Sequence, residues 1–202
     1  MMNTVVFRDF ELRDLDFIHK CKTDAKLNSM IIGNWKPFTY EQSKAWLEGC
    51  IRADNPAYRF WAIATNDEEQ RIIGWTSLSG IDPENQKACG HGIVIGDPDY
   101  KDGMAFIECH LFLMKYVFET LHFNRYYGES LVGHKDSNFM EEVMFITIEG
   151  VRRQAYYNNG RFHDSHITSI LKSEYFAHKA NGDYEIPAIL KRIRKLRKNR
   201  EK

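Results

Sequence analysis

Residues 97–106 read "DPDYKDGMAF", and the chain changes character inside that stretch at a single glycine. Asp97-Pro98-Asp99-Tyr100-Lys101-Asp102 is polar and turn-forming. After Gly103 comes a helix-compatible, mostly apolar run with no further glycine or proline until Gly128. The first turn of a helix carries N–H groups without intrahelical partners and the positive end of a dipole, a combination that suits phosphate. A glycine there lets the backbone approach an anion closely, and Lys101 adds charge. The same residues also fit a plain tight turn.

Other clusters are less telling. His163-Asp164-Ser165-His166 has metal-ligand types, but on a strand residues 163 and 166 face opposite sides, so no metal is expected. Glu141-Glu142, on a short helix over "DSNFMEEVM", reads as solvated. Cys21, Cys50, Cys89 and Cys109 are widely spaced and form no C-x-x-C pair, which fits reduced thiols in a cytoplasmic protein. Neither a Gly-x-Ser-x-Gly elbow nor a Walker motif is present.

The chain of 202 residues carries 28 basic and 28 acidic side chains, so no global field points to a polyanion. No long uncharged apolar stretch or signal-like segment occurs, and a membrane partner is not expected. "KRIRKLRKNREK" (191–202) is strongly basic and reads as a solvated helical end rather than a nucleic-acid contact. The organisation expected is one domain over residues 1–180 and a basic helical tail over 181–202.

These residues need elements to position them. "VVFRDFEL" reads as a strand, and "DLDFIHKCKTD" as a helix that Asp14 could cap. "TYEQSKAWLEGCIRAD" reads as a second helix, with Thr39 and Gln42 in capping-box position. "YRFWAIAT", "QRIIGWTSLSG" and "KACGHGIVIG" are strand-like and separated by turn chemistry. A helix over about 104–121 follows, greasy on most sides, its polar positions Glu108, Lys115 and Glu119 on one stripe. "RYYGESLVG" is the next strand, then the short helix, then a long hairpin turning at Asn159-Gly160. Strand–helix–strand around the greasy helix implies one parallel pair, while the meander and hairpin imply antiparallel strands. The expected class is mixed α/β: a central sheet of six to seven strands with helices on both faces.

This order, together with "LRDLDFI", "GIVIGDPDYKDGMAF", "YVFETLHFNRYYGES" and "MEEVMFITIEGVRRQAYYNNGRFHDSHITSILKSEYF", resembles the GNAT superfamily of acetyltransferases. The likeness is to the branch with ribosomal-protein N-terminal and amino-sugar N-acetyltransferases. It implies that acetyl-CoA is the co-substrate, without a metal, and that the acceptor is a primary amine on a small molecule or a protein N-terminus. Pairing of hairpins into a homodimer occurs in the family.

The resemblance assigns cofactor binding to Tyr100, Lys101, Asp102, Gly103, Met104, Ala105 and Phe106. It places a backbone donor for the thioester carbonyl near Val94 and Ile95. Tyr100 stands where the family has Arg or Gln, and counting back from "YVF" puts Met104 and Phe106 on the two glycine positions instead. Glu129 is implied as the base that takes the amine proton, with His91 second. Met140 stands where the family usually carries a Tyr acid, leaving His134, Tyr126 or Tyr127 as donors to the leaving thiolate. Gly133 and His134 replace an Asn that normally meets the CoA arm. Trp35 would wall the acceptor side. The different-class alternative is a GNAT-like module that binds CoA or a partner without turnover.

Overall fold

The computed structural model describes residues 4–29, 32, 35–158 and 160–200, and the side chain of His91 is not among those described. Seven strands form one sheet in the order β1-β2-β3-β4-β5-β7-β6. They are β1 (Val5–Arg8), β2 (Arg59–Thr65), β3 (Ile72–Asp82), β4 (Lys87–Ile95), β5 (Arg125–Leu131), β6 (Thr147–Asn158) and β7 (Arg161–Leu171). Every neighbouring pair is antiparallel except β4–β5. The expected order of elements along the chain, the parallel pair and the mixed α/β class all hold.

Helices cover both faces. On one side α1 (Leu15–Thr23) and α2 (Tyr40–Arg52) bury Ile18, Cys21 and Leu47 against Ala62, Ile72 and Trp75. On the other side lie α3 (Met104–Lys115), α4 (Lys135–Val143), α5 (Lys172–Ala180) and α6 (Ile186–Arg200). They contribute Ala105, Leu113, Met140, Val143, Tyr175 and Ile189 to a second core with Ile63, Ile73, Tyr126 and Ile170. The alternation of strand residues between these two cores is the period-2 pattern of a sheet buried on both faces.

Local chemistry sets the ends. Thr39 Oγ1 accepts from the Gln42 amide at 3.2 Å while Gln42 Oε1 accepts from the Thr39 amide at 2.9 Å, the expected capping box. The expectation for Asp14 fails: it makes no side-chain cap to α1 and is instead gripped by Arg8 in two bonds of 2.8 Å. The greasy helix runs as α up to Lys115 and then as one π-turn over Tyr116–Thr120, closed by Leu121 N–H to the Tyr116 carbonyl at 2.9 Å.

The expected polar stripe on that helix is not uniformly solvated. Glu108 is 9% exposed and accepts from the Thr4 and Val5 amides at 2.9–3.1 Å, tying β1 to α3. Glu141 is likewise buried rather than solvated, at 6% exposure. The hairpin turn falls at Gly160 (φ +79°), with Asn159 outside the described residues.

Candidate active site

β4 and β5 pair only through Lys87–Arg125, Ala88–Tyr126 and Cys89–Tyr127. Beyond that seam β4 continues to Ile95 bonded only to β3, and β5 continues to Leu131 bonded only to β7. The two strands therefore splay, and a wedge-shaped gap opens in the middle of the sheet. β4 also carries an extra residue at His91-Gly92, where two steps along β3 oppose three along β4 and Gly92 has φ +76°. The side chain of His91 lies outside the described residues.

At the wide end the Gly96 amide donates to the Ile73 carbonyl at 2.9 Å. Alternation along the strand then turns the Ile95 and Ile93 amides toward the gap and the Val94 amide toward β3. Of the pair named from the sequence, Ile95 offers the donor facing the gap. The loop that follows is fixed by Asp97, 8% exposed, which accepts from Arg71 at 2.6 Å and from the Asp99 amide at 3.0 Å. Burial pushes the Asp97 carboxyl up, but Arg71 and the Asp99 amide together hold it below the usual carboxylate range. A cavity of about 270 Å³ beside Gly96 is lined by Lys20 and Arg71 but also by Asp24 and Asp97, so its charges cancel.

Tyr100, Lys101 and Asp102 lead into α3, whose N-cap is Gly103 at φ +97°. That angle is strained for any side chain, yet a Cβ there would meet nothing within 4 Å. The glycine is demanded by backbone conformation, and the space beside it is open. The Met104 amide is taken by Asp102 Oδ1 at 2.9 Å, while those of Ala105 and Phe106 point out of the first turn with no intrahelical acceptor. A phosphate can sit on those two amides, with the Asp102 carboxylate working against it.

The narrow end has two sides. On the α1–α2 side Glu129, whose side chain is 19% exposed, accepts from Ser165 Oγ, from the Tyr156 hydroxyl at 2.8 Å and from Arg152 at 3.4 Å. Burial and the bond to Glu129 push the Tyr156 phenol up to about 12. Cys89 and Tyr127 share this side by register. Sequence reading missed Tyr156, Arg152 and Ser165. A bulge around Gln154 (φ +51°), whose amide donates to Asp164 Oδ1 at 2.7 Å, shifts the β6–β7 register. Tyr156, Arg152 and Ser165 lie 27, 23 and 36 residues from Glu129 in the chain, so no local pattern announces the cluster.

On the α3 side the Tyr126 hydroxyl presses on Gly90, where a Cβ would lie 1.9 Å away. Burial pushes this phenol up. Ser130 donates to Asn138 Oδ1 at 3.0 Å, and Asn138 also meets His166 Nδ1 at 3.3 Å. Glu141 stands beside Ser130 and Ser137. Burial raises its pKa, and its Oε2 has no partner.

Met140, 7% exposed, is core. His134 caps α4 by accepting from the Ser137 amide at 3.3 Å and does not join the Glu129 cluster. Trp35 donates to the Lys22 carbonyl at 3.2 Å, and the Lys22 ammonium lies 4.1 Å from the centre of the Trp46 ring. Among the described residues no His/Cys/Asp/Glu group is arranged to hold a metal, and no helix is long and apolar enough to cross a membrane.

This geometry has relatives. Over 86% of the chain it superposes on a spermidine N-acetyltransferase from Vibrio cholerae in complex with CoA and spermine, covering 98% of that chain (TM-score 0.73, 22% identity). A GCN5-related N-acetyltransferase from Brucella melitensis superposes on 92% of this chain and 82% of its own (TM-score 0.75, 23% identity). In sequence, 108 residues are 32% identical to the Bacillus subtilis (strain 168) protein named "Putative ribosomal N-acetyltransferase YdaF". That match takes in 54% of this chain and spans 58% of the relative's length. Residues 4–141 match the model of the acetyltransferase (GNAT) domain, more than half of the chain, and by that measure the protein belongs to the GNAT acetyltransferase family.

Proposed function

We propose that this protein transfers an acetyl group from acetyl-CoA to a primary amine. The observation that carries this reading is the splay of β4 from β5 after only three residue pairs, with the start of α3 and its open Gly103 at the wide end. Acetyl-CoA would supply the activated acyl group. The Ala105 and Phe106 amides would hold its phosphates, joined by Lys101, and the Ile95 amide would face its arm.

An alkylamine has a pKa of about 10.4, so presenting it neutral at pH 7 costs ~4.6 kcal/mol. Glu129 is the residue to take that proton: a carboxylate at the narrow end, held by Tyr156, Ser165 and Arg152. As the amine nitrogen bonds to the acyl carbon, the C–S bond breaks and the thiolate needs a proton. Of the three donors named from the sequence, the Tyr126 hydroxyl is the one that reaches Gly90 at the root of the gap. Its raised pKa keeps it a neutral acid.

The acceptor class stays at a primary amine, small and polar or the end of a protein chain; spermine occupies one neighbour, and another relative is named for a ribosomal substrate. The long edge strand β6, with Ile148 and Val151 exposed, supports pairing with a second copy.

The test is calorimetric titration of acetyl-CoA against the protein and its Gly103→Ala and Gly103→Glu variants, followed by a thiol-release screen of amines. Both variants carry the same backbone strain, and only the second adds negative charge. Micromolar binding retained in Gly103→Ala and lost in Gly103→Glu, with turnover on an amine, supports the reading. No binding by the intact protein sinks it. Binding without turnover on any amine would favour a silent acetyl-CoA-binding module, which Met140 and the single glycine of the loop speak for.

A further inference from the structure

Helix α6 spans Ile186–Arg200 and contains seven cations and no acid, so the rest of this electrically neutral chain carries seven more acids than bases. The fold uses three of those cations. Arg192 donates to the Val143 carbonyl at 2.7 Å and to the Asp183 carbonyl at 2.9 Å. Arg200 pairs with Glu142 at 2.6 Å, and Arg197 and Arg200 lie over the Phe139 ring. Together with Ile189, Ile193 and Leu196, these residues seat the helix on the second core. The tail is docked rather than free.

The other four cations, Lys191, Arg194, Lys195 and Lys198, are exposed. Steps of three and four lead from Lys191 to Arg194 and Lys195, and from both of those to Lys198, which puts the four on one stripe with charges so related about 4.5–6 Å apart along the axis. Like charges so placed repel. No ion pair relieves them among the described residues, although the domain has excess acid. Favourable contact with the helix dipole would account for cations in the last turn, not for Lys191 and Arg194 in the middle.

We propose that this stripe is a docking surface for the sugar–phosphate backbone of double-stranded RNA. A bilayer is disfavoured because membrane-surface helices insert an apolar face, and here that face is buried against the domain. Three of the four cations are lysines, compact charges on flexible stems that suit phosphates without reading sequence. The phosphate rows flanking the major groove of B-form DNA lie further apart, across a groove about 12 Å wide. A single row of long side chains can bridge the close phosphate rows that flank the narrow major groove of an A-form duplex.

The experiment is fluorescence anisotropy of a labelled 20-base-pair RNA duplex with the full-length protein at 50 and 200 mM salt. It compares the intact chain with the quadruple variant Lys191→Gln, Arg194→Gln, Lys195→Gln, Lys198→Gln. A control replaces Lys26, Lys44, Arg153 and Arg161 by Gln. With about four phosphates neutralised, affinity of the intact protein falls on the order of a hundredfold between the two salts. The stripe variant binds at least tenfold more weakly at 50 mM with a flatter salt response, while the control binds as the intact protein does.

Thermal melting checks the fold, and Lys195→Gln with Lys198→Gln serves as a milder pair should the quadruple variant melt early. Equal binding by the stripe variant overturns the proposal. So does equal or tighter binding of a B-form DNA duplex of the same sequence, or of vesicles containing phosphatidylserine. Absence of RNA binding by the intact protein overturns it as well.

Discussion

Two carboxylates flank the narrow end of the gap, on opposite sides of β5, and the protein treats them differently. Glu129 accepts three side-chain hydrogen bonds, one of them from a guanidinium, and keeps 19% of its side chain in contact with solvent. Glu141 is 6% exposed, leaves one oxygen without a partner, and is driven by burial toward its neutral form. The first environment orients a carboxylate through three donors and leaves it in contact with solvent. The second favours a carboxyl group that keeps its proton. The difference lies in the covering elements: the Glu129 side is walled by polar residues of the β6–β7 hairpin, and the Glu141 side is sealed by α4 and α3.

The largest expected effect separates the two in activity. Glu129→Gln lowers kcat by about 10²–10⁴-fold while acetyl-CoA binds as before, measured by thiol release and calorimetry. Glu141→Gln leaves kcat within a few-fold of the intact enzyme. Equal losses in both would break the distinction.

A second effect concerns room. Gly90→Ala puts a methyl 1.9 Å from the Tyr126 hydroxyl and 2.3 Å from the ring carbon behind it, so a rotation of the O–H cannot relieve it. A loss of about 1–3 kcal/mol in urea denaturation is expected. Gly128→Ala, across the gap, meets nothing nearer than 3.4 Å and serves as the tolerated partner.

The smallest effect sharpens the contrast through pH. On the sealed side His110 has a buried Nδ1 without a partner, and burial pushes its pKa down to about 4. Its contribution to stability is complete above the unfolded pKa of about 6.5 and is lost as pH falls toward 4. Between pH 7 and pH 5 that loss is about 2 kcal/mol. Glu141 runs the other way: its raised folded pKa contributes stability that is full below its unfolded value and is lost as pH rises through the folded one. His110→Phe therefore flattens the loss of stability on acidification, and Glu141→Gln steepens it. Parallel curves for both variants would show that neither group titrates differently in the folded protein.

Much of the frame was legible from local chemistry. The Thr39–Gln42 box, the turn residues between strands and the glycine opening α3 act within a few residues, and each falls where the sequence put it. What escaped depends on partners far away in the chain. Glu108 looks like a solvated helix carboxylate until residues 4 and 5 come to it, and Asp14 looks like a cap until Arg8 takes it. Nor does any local pattern announce that β4 and β5 part after Cys89 and Tyr127, because the parting reflects the bulge at His91-Gly92 and the packing of whole strands.

That short seam also bears on how the molecule assembles. The β2–β3–β4 meander and the β6–β7 hairpin each join strands adjacent in the chain, whereas the seam joins segments 38 residues apart through only three residue pairs. Closing so long a loop for so few contacts places the seam late in folding, after two independently organised leaves exist. The opening in the sheet is then a line along which two nearly finished pieces meet, and α3, laid across both, is the clasp that keeps them in register.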